Sequence, residues 1–244
     1  MHGPAGLPAS EVLRRVGAVG PYFHVDVAER PPDGFRPLGE LHRPGPDTDL
    51  ARRIHHAAAQ LRTTESRVAA SVVHLGLAAR FWSVALGVAA FGHIADLDPD
   101  RAHFRLPPGG PLDLWLPGPG ASPVTGDPVD ALHRSTVLGV LAPLGEAVRS
   151  VAPVAERLLW GNAASALVGS HRILLGSLTD RHVSSRATDL MARQLHRSPL
   201  VDTWSATPGF RRATCCLYYR VPGGGLCGDC ALDRAPAPRR SAAR

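Results

Sequence analysis

Cys215, Cys216, Cys227 and Cys230 lie within one short segment near the end of the 244-residue chain, which has no other cysteine. Their spacing reads C-C-x10-C-x2-C. Four thiolates can complete a [2Fe–2S] cluster, two on each iron, or an all-thiolate zinc site. The two-residue gap between Cys227 and Cys230 is the usual knuckle that turns both sulfurs toward one metal. Neighbouring cysteines tend to diverge, so gripping one tetrahedral zinc with Cys215 and Cys216 strains the turn. A two-iron core is wider and accepts neighbouring sulfurs more readily. The spacing therefore favours the two-iron reading, with Cys227 and Cys230 expected on one iron and Cys215 and Cys216 on the other.

Glycines surround these cysteines at Gly223, Gly224, Gly225 and Gly228. They would let backbone amides turn toward sulfur and raise a cluster's reduction potential. A simpler reading makes Val221-Pro222-Gly223-Gly224-Gly225 a tight turn, and the two are compatible.

Charge gathers at the same place. The formal net charge is +6, and all 27 basic residues are arginine. The absence of lysine excludes Schiff-base chemistry and a P-loop lysine. Residues 1–122 hold 12 arginines and 12 acids, while residues 123–244 hold 15 arginines and 9 acids. Within residues 211–244, Arg211, Arg212, Arg220, Arg234, Arg239, Arg240 and Arg244 face only Asp229 and Asp233, a local +5. An oxidised [2Fe–2S] centre with four thiolates carries a formal charge of about −2, and about −3 when reduced. Arg211, Arg212 and Arg220 are placed to offset it.

At these residues the sequence resembles the FhuF-type siderophore-iron (ferric iron) reductases. The likeness rests on the vicinal cysteines, the ten-residue gap, the glycine-rich turn and Cys227-Gly228-Asp229-Cys230. A weaker signature lies upstream in Leu159-Trp160-Gly161-Asn162 with Ser165. The resemblance implies a [2Fe–2S] cofactor held by Cys215, Cys216, Cys227 and Cys230. It also implies one-electron reduction of a ferric siderophore, of hydroxamate class, fed by a separate electron donor. Siderophores hold Fe(III) through hard anionic oxygens and Fe(II) far less tightly, so one electron suffices for release. Two other readings are an iron–sulfur electron carrier or sensor without its own substrate, and a zinc-stabilised binding module. Tyr218 and Tyr219 are the only aromatics close to the basic run after Phe210, and no recognition motif accompanies them, so no nucleic-acid partner is expected.

The elements that must position the cysteines are mainly helical. Ser10 could cap a short helix over Glu11–Val16, and Tyr22–Val27 alternates like a strand. Residues 30–46 and Pro117–Pro128 are breaker-rich and read as loops. Thr48 or Asp49 opens a helix through Ile54 and Leu61. Val68, Val72, Leu75, Ala79, Trp82 and Leu86 keep helical spacing with almost no charge, a sign of burial on most sides. His103–Leu106 and Pro111–Leu116 flank a Pro-Pro-Gly-Gly turn and predict a hairpin. Asp127-Pro128 reads as an N-cap and first helical residue, with a helix running toward Leu138 or further. Leu158–Leu174 predicts a second buried helix and Asp189–His196 a short one. The fold class is α+β, a helical body with a small antiparallel sheet. We expect a body over 1–205, a [2Fe–2S] segment over 206–234 and a disordered tail over 235–244.

Other signals are weaker. His55 and His56 are adjacent on a helix and point about 100° apart, so they cannot form a zinc pair. His74 and His93 read as core histidines, and Asp96-Leu97-Asp98-Pro99-Asp100 as a loop rather than a calcium site. Ser135 and Ser165 lack a hydrolase elbow, and no dinucleotide fingerprint is present. Trp160 and Asn162 suit either substrate positioning or helix packing. Catalytic residues beyond the cysteines are not identified.

Arg14 and Arg15 fall where a signal peptide would need apolar residues, so none is expected. Arg80 divides the apolar stretch Val68–Ala95 into runs shorter than the roughly 20 residues a membrane span needs. A buried core helix is the better reading. The expected location is cytoplasmic, with peripheral membrane association compatible.

Overall fold

The computed structural model describes residues 7–206 and 209–236. Most of the tail expected to be disordered lies outside the described residues. The architecture is α+β, with seven helices and three small antiparallel sheets among the described residues.

Helix α3, Ser66–Ala90, is the axis of the fold. Its sequence lacks a polar face, and 19 of its 25 residues are buried. It is long and apolar enough to cross a membrane, with mean hydropathy 1.6 over its most apolar window, yet 78% of that window is buried inside the fold. Trp82, Phe81 and Leu86 are fully enclosed, each contributing about 1.5–3 kcal/mol by burial. Its main neighbour is α6, Glu156–Ser177, with α2, Asp49–Gln60, and α7, Arg181–Leu195, also packed on it. Alanines at 78, 85, 163 and 164 let α3 and α6 come close, and Ser83 and Ser170 hydroxyls meet across them at 3.0 Å.

Arg80 sits inside this core, only 2% exposed. Its guanidinium donates to the carbonyls of Leu112 (2.7 Å), Tyr22 (2.7 Å) and His24. Burial lowers its pKa to about 10. The residue that interrupts the apolar run is therefore a tether holding two loop segments onto α3.

Several local readings hold. Thr48 caps α2 by accepting the Ala51 N–H at 3.1 Å, and Asp127 caps α4, Pro128–Leu132, through the N–H groups of Val129 and Asp130. The hairpin pairs β3, His103–Arg105, with β4, Asp113–Trp115. The predicted core segments 68–86 and 158–174 lie within α3 and α6.

Others are corrected. Residues 30–46 contain β1, Arg36–Pro37, which pairs with β3, and a 3-10 turn, Leu38–His42, whose Leu38 and Leu41 are buried. Tyr22–Val27 makes no strand ladder. Only Asp26 bridges to the sheet, exchanging backbone bonds with Leu114 and Leu116. The loop 117–128 contains β5, Ala121–Pro123, paired with β2, His93–Ala95. The helix from α4 continues as a π-helical stretch, His133–Leu141, and then as α5, Ala142–Val151. Helix α1 spans Ala9–Gly17 with Pro8 rather than Ser10 at its cap. Helix α7 begins eight residues before the predicted start, because Asp180 accepts the N–H groups of His182 and Val183.

Candidate metal centre

The cysteine segment returns to the junction of α3 and α6. It enters through β7, Arg211–Arg212, paired with β6, Trp204–Ser205. The Arg212 N–H donates to the Asp229 carbonyl at 3.0 Å, drawing the two halves of the motif together. At Cys227-Gly228-Asp229-Cys230 the Cys230 N–H closes on the Cys227 carbonyl at 3.1 Å. At the other end, the Ser71 hydroxyl donates to the Cys216 carbonyl at 2.7 Å. Asn162 of α6 donates to the Ser71 carbonyl at 2.9 Å and accepts from the Arg212 guanidinium.

This explains the Leu159-Trp160-Gly161-Asn162 signature. Asn162 is fully buried and ties α3, α6 and the cysteine segment together. Gly161 supplies clearance, because a Cβ there would collide with the Thr214 hydroxyl. Trp160 instead donates to Glu156 at 3.2 Å. Asn162 and Gly161 serve the packing between the body and the cysteine segment.

Cys216 is buried, whereas Cys215, Cys227 and Cys230 are partly exposed, and all four are free thiols. The sulfurs of Cys216 and Cys227 lie 3.6 Å apart. Two thiolates on one tetrahedral metal with bonds near 2.3 Å are about 3.8 Å apart. The Cys216 and Cys227 sulfurs therefore lie at a separation that one metal could bridge. Among the described residues, no three His, Cys, Asp or Glu side chains gather around one point.

The Arg212 charge favours thiolate at Cys215, Cys216 and Cys227, while burial opposes it. The bond with Cys227, the Tyr218 N–H and the nearby Arg212 charge lower the Cys216 pKa to about 6, while the shared bond pushes Cys227 upward. Burial raises Cys215. The Leu217 N–H points to the Cys215 sulfur at 3.3 Å, and the Leu232 N–H to the Cys230 sulfur at 3.4 Å. Leu217 adopts φ +69°, a left-handed conformation uncommon for a residue with a Cβ. These amides belong to residues flanking the cysteines, not to the glycines. Val221-Pro222-Gly223-Gly224 is instead a turn closed at 2.8 Å, with Gly223 at φ +74°. A Cβ on Gly224 would sit 2.6 Å from the Tyr218 carbonyl oxygen.

The three arginines expected to offset cluster charge have different fates. Arg211 donates to the carbonyls of Cys230 and Ala231 and pairs with Asp233 at 2.6 Å. Arg220 pairs with Glu65, just before α3, at 2.7 Å. Arg212 alone of the three is buried, and its Nε and Nη1 meet no acceptor among the described residues.

The largest cavity described, about 710 Å³, is elsewhere. Asp96, Asp98, Arg101, Arg134 and Ser135 line it in part, and no cysteine does. Nineteen residues of α3, about 28 Å at the helical rise, separate Ser71 from the end of α3 beside this cavity. His74 and His93 are buried, as core histidines should be.

Comparison with known families settles the character of the segment. Residues 212–232 match the family model described as the FhuF 2Fe-2S C-terminal domain. The chain carries an FhuF-type iron–sulfur segment. Its cofactor is a [2Fe–2S] cluster, and all four cysteines lie within the matched residues. The free thiols, the sulfur-directed amides and the orphaned N–H groups of Arg212 fit that group. No curated protein matches the chain.

Proposed function

We propose that the protein is a ferric-siderophore reductase acting in the cytoplasm, with Cys215, Cys216, Cys227 and Cys230 as cluster ligands. The 3.6 Å approach of the Cys216 and Cys227 sulfurs is a spacing that one iron could bridge. When bound, the [2Fe–2S] cluster supplies single electrons. The observation that carries the reading is the FhuF 2Fe-2S match over a segment in which three of the four thiols are partly exposed.

The chain's residues divide the work. Ser71 and Asn162 fix the inner wall of the site by holding the Cys216 carbonyl and Arg212. The N–H groups of Leu217, Tyr218 and Leu232 stabilise negative sulfur. Tyr218 and Leu226 are 40% and 38% exposed beside the cysteines and offer an open contact surface. A ferric hydroxamate docking there gains one electron, becomes a ferrous complex and loses affinity for its hard oxygen ligands. A separate donor restores the electron.

A second reading, an electron carrier without its own substrate, draws on one observation: the 710 Å³ cavity contains no cysteine. To separate the two, reduced protein is mixed anaerobically with a ferric hydroxamate and a ferrous chelator. The reductase reading expects one ferrous chelate per reduced cluster. A cluster that stays reduced while no ferrous chelate forms contradicts it.

A further inference from the structure

The sorting of the arginines leaves one unexplained. Arg212 is 2% exposed. Its Nη2 donates to Asn162, which fixes the guanidinium plane, while Nε and Nη1 have no acceptor among the described residues. A buried donor left without a partner has lost its hydrogen bonds to water and gained none in return. Two on a buried cation are hard to explain as packing, and no carboxylate among the described residues forms an ion pair with Arg212. Its charge reaches Cys215, Cys216 and Cys227, where it favours thiolate. It also reaches His74, whose Nδ1 is likewise buried without a partner.

We propose that Arg212 is the buried counter-cation of the cluster, with Nε and Nη1 donating to its sulfur atoms and its charge favouring the reduced state. The proposal rests on the [2Fe–2S] reading and adds a positioning residue to it. Arg211 and Arg220 are not buried and already pair with Asp233 and Glu65, so neither shows the buried, unpartnered donors of Arg212. An arginine suits it better than a lysine, since the planar fork can serve Asn162 with one edge and sulfur with another. One electron enters the cluster from an external reductant, and no bond to Arg212 is made or broken. The added negative charge strengthens an attraction already in place.

The direct test uses holoprotein labelled with ¹⁵N only at arginine guanidinium nitrogens, reduced and examined by pulsed electron paramagnetic resonance. A weakly coupled ¹⁵N is expected in the wild type and absent in Arg212→Lys. A normal two-iron signal without that coupling overturns the proposal and would place His74 or a trapped water as the partner of Arg212. In parallel, potentiometric titration of Arg212→Gln should show at least a tenfold fall in the equilibrium constant for one-electron reduction, about 59 mV. Arg212→Lys, which keeps the charge, should fall by less. A loaded Arg212→Gln protein with an unchanged potential overturns the proposal. If that variant does not load, the wild-type coupling decides. Wild-type protein with no two-iron signal would overturn the cluster reading itself, and this proposal with it.

Discussion

The Ser71 hydroxyl, one turn into the central helix, donates to the backbone carbonyl of Cys216 at 2.7 Å, and both residues are buried. Core helix and metal-binding segment are therefore joined at a ligand. Ser71→Ala leaves that carbonyl and the Asn162 amide short of a partner, a cost of about 1–3 kcal/mol. The expected result is a lower denaturation midpoint and faster loss of the cluster to a chelator, both measurable on anaerobic protein. A variant with wild-type cluster lifetime would show that this bond does not hold the site.

Gly161 makes a second, steric prediction. A methyl group there must displace Thr214, so Gly161→Ala should cost about 1–3 kcal/mol despite alanine's better helix propensity. Cluster occupancy should fall with it. Thr214→Ser in the Gly161→Ala background would not relieve the clash, because the colliding hydroxyl remains, whereas Thr214→Ala should recover much of the loss. Iron content per folded chain is the readout.

Arg80 separates core from site. Replacing it with methionine leaves the carbonyls of Leu112, Tyr22 and His24 without their donor. The expected cost is about 3 kcal/mol or more. Nine residues of helix, about 14 Å, lie between Arg80 and Ser71. The molecules that remain folded should therefore carry a cluster with unchanged spectrum and potential.

Acid sensitivity should have a histidine component. Burial lowers the His42 pKa to about 4, against about 6.5 when unfolded. Below pH 6.5 the unfolded chain takes up a proton that the folded chain refuses, so stability falls as pH drops toward 4. At full development the effect is about 3 kcal/mol. His42→Gln should lose less stability than the wild type between pH 7 and pH 5 in denaturant titrations. Equal losses would remove His42 from the account.

What could be read from sequence was local. The C-C-x10-C-x2-C spacing, the Asp127-Pro128 cap and the apolar helical spacing of α3 each carry their meaning within a few residues. The approach of the Cys216 sulfur to that of Cys227 was not legible, because it brings together the two halves of the motif, which the Arg212–Asp229 backbone bond also joins. Nor did charge counting reveal which arginine matters. Glu65 and Asp233 claim two of the three, from 155 residues before Arg220 and 22 residues after Arg211. The short strands β1, β2 and β5 escaped for the same reason, since their partners rather than their patterns define them.

The central claim is electron transfer from this cluster to chelated ferric iron. Stopped-flow absorbance of the reduced protein mixed with a ferric hydroxamate tests it most directly. Reoxidation should quicken with ferric complex concentration, and the redox-inert gallium complex should leave the cluster reduced. A reduced [2Fe–2S] spectrum that persists at saturating ferric complex would contradict the account.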